Sequence, residues 1–171
     1  MSKTSAIKSA HVISKTLVEH KVLEESKKHT YFKTGIIFRG AKEKPENKMT
    51  PLEKMEKLKS GLSKLDLEKL KSRTELDYYK LSKALSVTRA TLIKKKGIQK
   101  FSFALSERII GLADIYSYGY DVFEDEAKFN QWMFRPNQAL GGKSPYDVID
   151  NQFGREEVKN IIGRIDYGVY S

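Results

Sequence analysis

The chain has 171 residues, 39% of them apolar, no cysteine and a formal net charge of +10. That length admits one domain with a sizeable core plus a small appendage, and the missing cysteine excludes disulfides and thiolate zinc sites, as fits a reducing compartment. No apolar run reaches the roughly 20 residues of a membrane span, and MSKTSAIKSAHVISK lacks the apolar centre of a secretory signal, so the sequence predicts a cytoplasmic protein with no membrane partner.

Residues 1–49 read as a basic N-terminal extension of unknown role. Ile7, Ala10, Ile13 and Leu17 have helical spacing, GIIFRG is a short apolar run, and AKEKPENK has the charge and proline of a linker. A basic arm and a small packed extension both fit. His11, His20 and His29 lie nine residues apart rather than three or four, so they do not share a helix face and are read as surface residues; no metal site is predicted.

Residues 50–120 carry repeated helix signals. Thr50, Pro51 and Glu53 form a capping pattern ahead of Leu52, Met55, Leu58 and Leu62, with Gly61 near the end. Ser63 with Asp66 and Thr74 with Asp77 open two more helices, whose Leu67, Leu70, Leu76, Leu81, Ala84 and Leu85 face inward. LSKALSVTRATLIKKK, residues 81–96, has the proportions of a helix-turn-helix: small Ser82 and Ser86 four apart at the turn, Val87 and Leu92 as anchors, Thr88 as the cap of the second helix. Arg89, Thr91, Lys94 and Lys95 then project outward, suited to base edges and phosphates. Ser86 stands where glycine is usual in a turn needing positive φ. An ordinary helical corner with a solvated basic face is the competing reading. Further on, Leu105, Ile109, Leu112 and Tyr116 share a stripe.

Residues 121–171 form a second unit, in which Val158, Ile161, Ile162 and Ile165 share another stripe. With at least seven short helices and no convincing alternating strand, the predicted class is all-α. Charge is polarised along the chain: residues 1–50 carry net +6, residues 51–100 net +8 and residues 101–171 net −4. Such polarity suits a polyanion at the front and a different partner at the back.

GGKS, at Gly141–Ser144, matches the end of a phosphate-binding loop, but position 137 is asparagine where that loop needs glycine, no strand precedes it, and Pro145 follows directly. Ser144, Pro145 and Asp147 instead repeat the capping pattern of Thr50, Pro51 and Glu53. Glu124, Asp125 and Glu126 are adjacent and do not converge on a point, and no histidine follows His29, so no catalytic group or cofactor site is predicted. Gly168 can end the last helix in the left-handed conformation and release Val169, Tyr170 and Ser171 as a short tail. Two readings of that tail stand: its tyrosines enter a partner's pocket, or Tyr167 and Tyr170 fold back on their own domain.

Trp132, Pro136-Asn137, Leu140-Gly141-Gly142, Ser144-Pro145, Gly154, Val158 and the closing Arg164-Ile165-Asp166 and Tyr167-Gly168-Val169-Tyr170, together with LSERIIGLADI upstream, make an ordered series. In this series the chain resembles the Xre/MbcA/ParS-type antitoxins that pair with RES-domain toxins, over about residues 52–171. The resemblance implies an all-helical, usually dimeric antitoxin. Its N-terminal domain would bind operator DNA and repress its own operon, and its C-terminal domain would block a toxin similar in fold to ADP-ribosyltransferases, which consumes or transfers from NAD. Carried onto this chain, the resemblance assigns toxin binding to Arg164, Asp166, Tyr167, Gly168, Val169, Tyr170 and Ser171, while the helix-turn-helix reading assigns DNA binding to Thr88, Arg89, Thr91, Lys94 and Lys95. The protein itself is expected to be no enzyme. A stand-alone regulator, or a nucleotide-binding enzyme built on GGKS, are the alternatives.

Overall fold

A computed structural model describes residues 35–38 and 43–168, and among them it is all-α, with eight helices, two 3-10 turns and no strand beyond an isolated bridge between Ser63 and Lys100. In chain order these are a 3-10 turn at Glu46–Lys48, α1 (Pro51–Ser60), α2 (Lys64–Thr74), α3 (Tyr78–Ala84), α4 (Arg89–Lys94), α5 (Phe103–Phe123), α6 (Glu126–Trp132), a 3-10 turn at Gln138–Leu140, α7 (Pro145–Val148) and α8 (Gln152–Asp166). The expected helical spacing at Ile7 to Leu17 and the three histidines lie outside the described residues.

The capping residues start these helices where their chemistry demands. Thr50 accepts from the Glu53 N–H while the Glu53 carboxylate accepts from the Thr50 N–H, and Ser63 and Asp66 repeat the exchange on α2. Each such cap is worth about 1 kcal/mol. Thr74 departs from expectation: it is the last residue of α2, its hydroxyl donates to Leu70 O, and Asp77 alone caps α3 by accepting from Lys80 N–H.

The core is organised on α5, against which α8, α6, α1, α2 and the first 3-10 turn pack. Its predicted stripe of Leu105, Ile109, Leu112 and Tyr116 is buried, and so are Ile110, Ala113, Ile115 and Tyr120, so the helix is enclosed on most of its circumference. Burial of each such aliphatic side chain contributes about 1.5–3 kcal/mol. Tyr116, Tyr120 and Phe129 meet edge to face, with Phe123 and Trp132 extending the cluster. Gly119 is what permits it: a Cβ there would sit 2.1 Å from the Phe129 ring.

Four apolar expectations change, and one polar one. Leu52 and Met55 are 71% and 50% exposed, and α1 buries no residue; it is held through its lysines instead, Lys54 on Asp114 of α5 at 2.7 Å and Lys57 on Glu43 at 2.8 Å. Val87 and Ile165 are only half-buried. The stretch read as a linker contains Glu46, which is fully buried. Its carboxylate accepts from the N–H groups of Ile36 (2.8 Å), Ile37 (2.7 Å) and Phe38 (3.2 Å). A buried carboxylate survives when backbone donors replace its water, and here it anchors GIIF, whose Ile36 and Ile37 are buried, as a bend rather than a strand.

Candidate functional sites

The segment Tyr78 to Lys94 folds as two short helices across a four-residue turn. Leu81, Ala84, Leu85 and Leu92 point into the core, and Thr88 caps α4 by accepting from Thr91 N–H at 3.2 Å. At the turn Ser86 N–H donates to Lys83 O and Val87 N–H to Ser82 O, each at 3.0 Å, which closes α3 with Ser86 in the left-handed region at φ 49°. Serine there costs about 1 kcal/mol relative to an ordinary backbone. Two contacts offset it: the Ser86 hydroxyl donates to Asp150 O at 2.8 Å, and the Arg108 guanidinium donates to Leu85 O and Ser86 O at 3.1 Å. The requirement for positive φ is met without glycine.

Thr88, Arg89, Thr91 and Lys94 are exposed and Lys95 is half-buried, so the five candidate DNA-binding residues lie along one short helix and its exit. The exposed surface around them adds Ala90, Ile93 and Lys96. No acidic side chain sits on α4 to oppose a phosphate backbone.

The GGKS loop is spent on itself. Asn137 N–H donates to Lys143 O (3.0 Å), Gly141 N–H to Gln138 O (3.0 Å), Gly142 N–H to Asn137 O (3.0 Å) and Lys143 N–H to Leu140 O (3.3 Å). A phosphate cradle needs those N–H groups turned to the ligand, so the nucleotide alternative fails on geometry. The loop instead delivers Ser144 to α7, where Asp147 accepts from both the Ser144 N–H and hydroxyl. It also brings Tyr146 onto α3, where its hydroxyl donates to Lys80 O at 3.0 Å. Burial, with Asp77 adding to it, pushes the Tyr146 hydroxyl up to about 12.

Glu124, Asp125 and Glu126 play three separate roles: Glu124 ends α5 at positive φ, Asp125 caps α6, and Glu126 pairs with Arg73. They form no convergent acidic site. Among the described residues no group of three His, Cys, Asp or Glu side chains could hold a metal, and no helix is long and apolar enough to cross a membrane.

At the other candidate site, α8 runs beside α5 with Lys159 on Asp114 (2.6 Å) and ends in a left-handed turn at Gly168, φ +69°. Tyr167 N–H donates to Gly163 O and Gly168 N–H to Ile165 O, and Tyr167 is 84% exposed. Arg164 pairs with Glu157 at 3.2 Å, and Asp166 accepts from the Tyr118 hydroxyl at 3.4 Å. Burial, then the Asp166 carboxylate, raises the Tyr118 hydroxyl above its ordinary range. Tyr118, Lys159, Asn160, Gly163, Arg164 and Tyr167 line a shallow groove. Four of the tail's seven candidate residues, Arg164, Asp166, Tyr167 and Gly168, thus lie together; Val169, Tyr170 and Ser171 lie outside the described residues. Sequence reasoning missed Tyr118, Lys159, Asn160 and Gly163. The available signal was a glycine inside a helix: a Cβ added at Gly163 would lie 3.4 Å from the Tyr118 hydroxyl, in ordinary contact with it.

Residues 119–168, from within α5 to the Gly168 turn, match the family described as the antitoxin Xre/MbcA/ParS C-terminal toxin-binding domain. The chain carries an Xre/MbcA/ParS antitoxin domain. It is similar to a Prs ADP-ribosylating antitoxin of a Sphingobium species, 26% identical over 71% of this chain and 83% of that protein. It is also similar to Xre antitoxins of Photorhabdus laumondii (37% identical over 44% of this chain) and Yersinia enterocolitica (34% over 42%). Its matches span 51% and 49% of those two proteins, about half of each. The matched residues include the GGKS turn, the aromatic cluster apart from Tyr116 and the groove lining apart from Tyr118, so that part of the chain is an antitoxin toxin-binding domain.

Proposed function

We propose that this antitoxin neutralises a RES-domain toxin, one that degrades NAD or ADP-ribosylates a target, by occluding its active site with the C-terminal end of the antitoxin domain, and that it binds operator DNA as a homodimer to autoregulate its transcription. The observation that carries the toxin reading is the end of α8. A residue as large as tyrosine is 84% exposed immediately before a glycine that turns the chain away from the helix. Tyrosine offers large contact area with few torsions to freeze, as an anchor in a foreign pocket requires. Arg164 and Asp166 beside it supply charge of both signs for orientation. The name of the Sphingobium relative supports a toxin of ADP-ribosylating chemistry. DNA binding is supported by exposed Arg89, Thr91 and Lys94 on a capped helix in the most basic third of the chain. Domain limits of 50–120 for the DNA-binding part and 121–171 for the toxin-binding part follow the same division, with 1–49 as the extension.

The test is co-expression with the product of the adjacent gene, followed by co-purification and an NAD-consumption assay. Removing Gly168 to Ser171 is expected to abolish neutralisation while leaving duplex binding intact; full protection by the truncated chain would defeat the plug. Under the alternative of a stand-alone regulator, no adjacent product co-purifies and duplex binding is the whole activity.

A further inference from the structure

Helix α4 has six residues and buries only Leu92, so neither its own hydrogen bonds nor its apolar contacts set its direction firmly; isolated helices shorter than about 12–15 residues are marginal. Yet a recognition helix must enter a groove at a defined angle to its partner helix. One side chain touches all three helices of this region. Lys64, in the first turn of α2, is 8% exposed. Its ammonium donates to Leu92 O in the last turn of α4 at 2.8 Å, to the hydroxyl of Tyr78 at the first position of α3, and pairs with Glu68 of α2 at 2.9 Å. Three donors thus meet three acceptors, and the carbonyl chosen is at the negative end of α4. Burial penalises the charged form, but the Tyr78 and Glu68 contacts outweigh it, so Lys64 keeps its proton more firmly than an ordinary lysine. The backbone adds to the joint: Lys64 N–H donates to Gln99 O and Leu65 N–H to Gly97 O, both at 3.0 Å, so the chain leaving α4 returns to the same turn. The base of this joint is rigid, since Leu67 and Leu70 of α2 are fully buried.

We infer that Lys64 is a positioning residue for DNA recognition: without touching nucleic acid, its ammonium fixes the angle of α4 relative to α3 and so aligns Arg89 and Thr91 with base edges. The inference rests on the DNA-binding reading above. It separates Lys64 from the other lysines of this basic region, because a lysine at a phosphate acts through its charge and one buried at a helix joint acts through geometry.

The experiment measures binding of the full chain to a labelled duplex from immediately upstream of its own coding sequence and to a scrambled duplex of equal length, across a salt series. For Lys64→Met the preference for the native duplex is expected to fall about tenfold, as for a misaligned base contact. Binding to the scrambled duplex and the slope of log K against log salt should stay unchanged. Lys64→Arg, which restores a charged donor, should recover much of the preference, and Tyr78→Phe should lose a smaller part of it. Ile109→Ala, a core change assayed below its melting point, should keep the preference, which separates joint geometry from loss of stability. If Lys64→Met does not fold, Lys64→Arg and Tyr78→Phe decide. Undiminished preference in the Lys64 variants, a slope reduced by about one as for a lost phosphate contact, or an equal loss in Ile109→Ala would overturn the inference. If the wild-type chain itself prefers neither duplex, the DNA-binding reading fails first and the inference goes with it.

Discussion

Helices α4 and α5 are placed by opposite means. Twelve of the 21 residues of α5 are buried, so its position follows from apolar surface and survives small changes in any polar partner. Only one of the six residues of α4 is buried, and its position follows from a cap at Thr88, a hydroxyl and a guanidinium at the preceding turn, and an ammonium at its end. Under the proposed DNA-binding role, a helix that presents Arg89, Thr91 and Lys94 to a partner cannot also bury them. Direction then has to come from hydrogen bonds to its backbone, which leave the side chains outside. The cost is that the helix proposed to contact DNA is the more easily misaligned of the two.

Substitutions should sort by which of these means they disturb. The largest effect is expected at α5: Ile109→Ala removes a fully buried side chain and should cost about 2–5 kcal/mol in urea denaturation, with toxin and duplex binding intact below the transition. Thr88→Ala removes the α4 cap and should cost about 1 kcal/mol, while duplex affinity falls by more than that loss of stability explains. Equal losses in both would mean that α4 is placed by burial after all. Acid should loosen α1 before α5. The Lys44 ammonium and the Thr50 N–H hold the Glu53 carboxyl down at about 2. Its contribution is therefore full above the ordinary carboxylate value near 4.5 and lost as pH falls from there through about 2, an effect readable as a pH-dependent melting temperature that Glu53→Gln flattens. Ser86→Gly relieves the left-handed strain but removes the hydroxyl bond to Asp150 O, so stability should change by no more than about 0.5 kcal/mol. Smallest of all on stability is Arg89→Ala, within about 0.5 kcal/mol because the side chain is exposed, and yet its duplex affinity should fall about tenfold. A melting shift larger than that would show Arg89 holding the fold instead of facing a ligand.

The sequence alone was enough for what local chemistry decides. The caps at Thr50, Ser63, Thr88 and Ser144 begin helices because a hydroxyl or carboxylate three residues from a partner satisfies N–H groups that no other local group can reach. The stripe on α5, the positive φ at Gly168 and the failure of GGKS as a phosphate loop were readable for the same reason, as was the ordered series that marks the antitoxin domain. Tertiary structure decided everything that joins residues far apart in the chain. Spacing could not show that Leu52 and Met55 of α1 stay exposed while Lys54 reaches Asp114, because Asp114 lies 60 positions away. Nor could it show that Glu46 is buried under three backbone N–H groups, or that Ser86 takes the place of glycine because Asp150 and Arg108 hold its turn. Periodicity reports which face of a helix is apolar. Whether that face meets the core, and which buried charge finds a partner, depends on long-range contacts that no local pattern encodes.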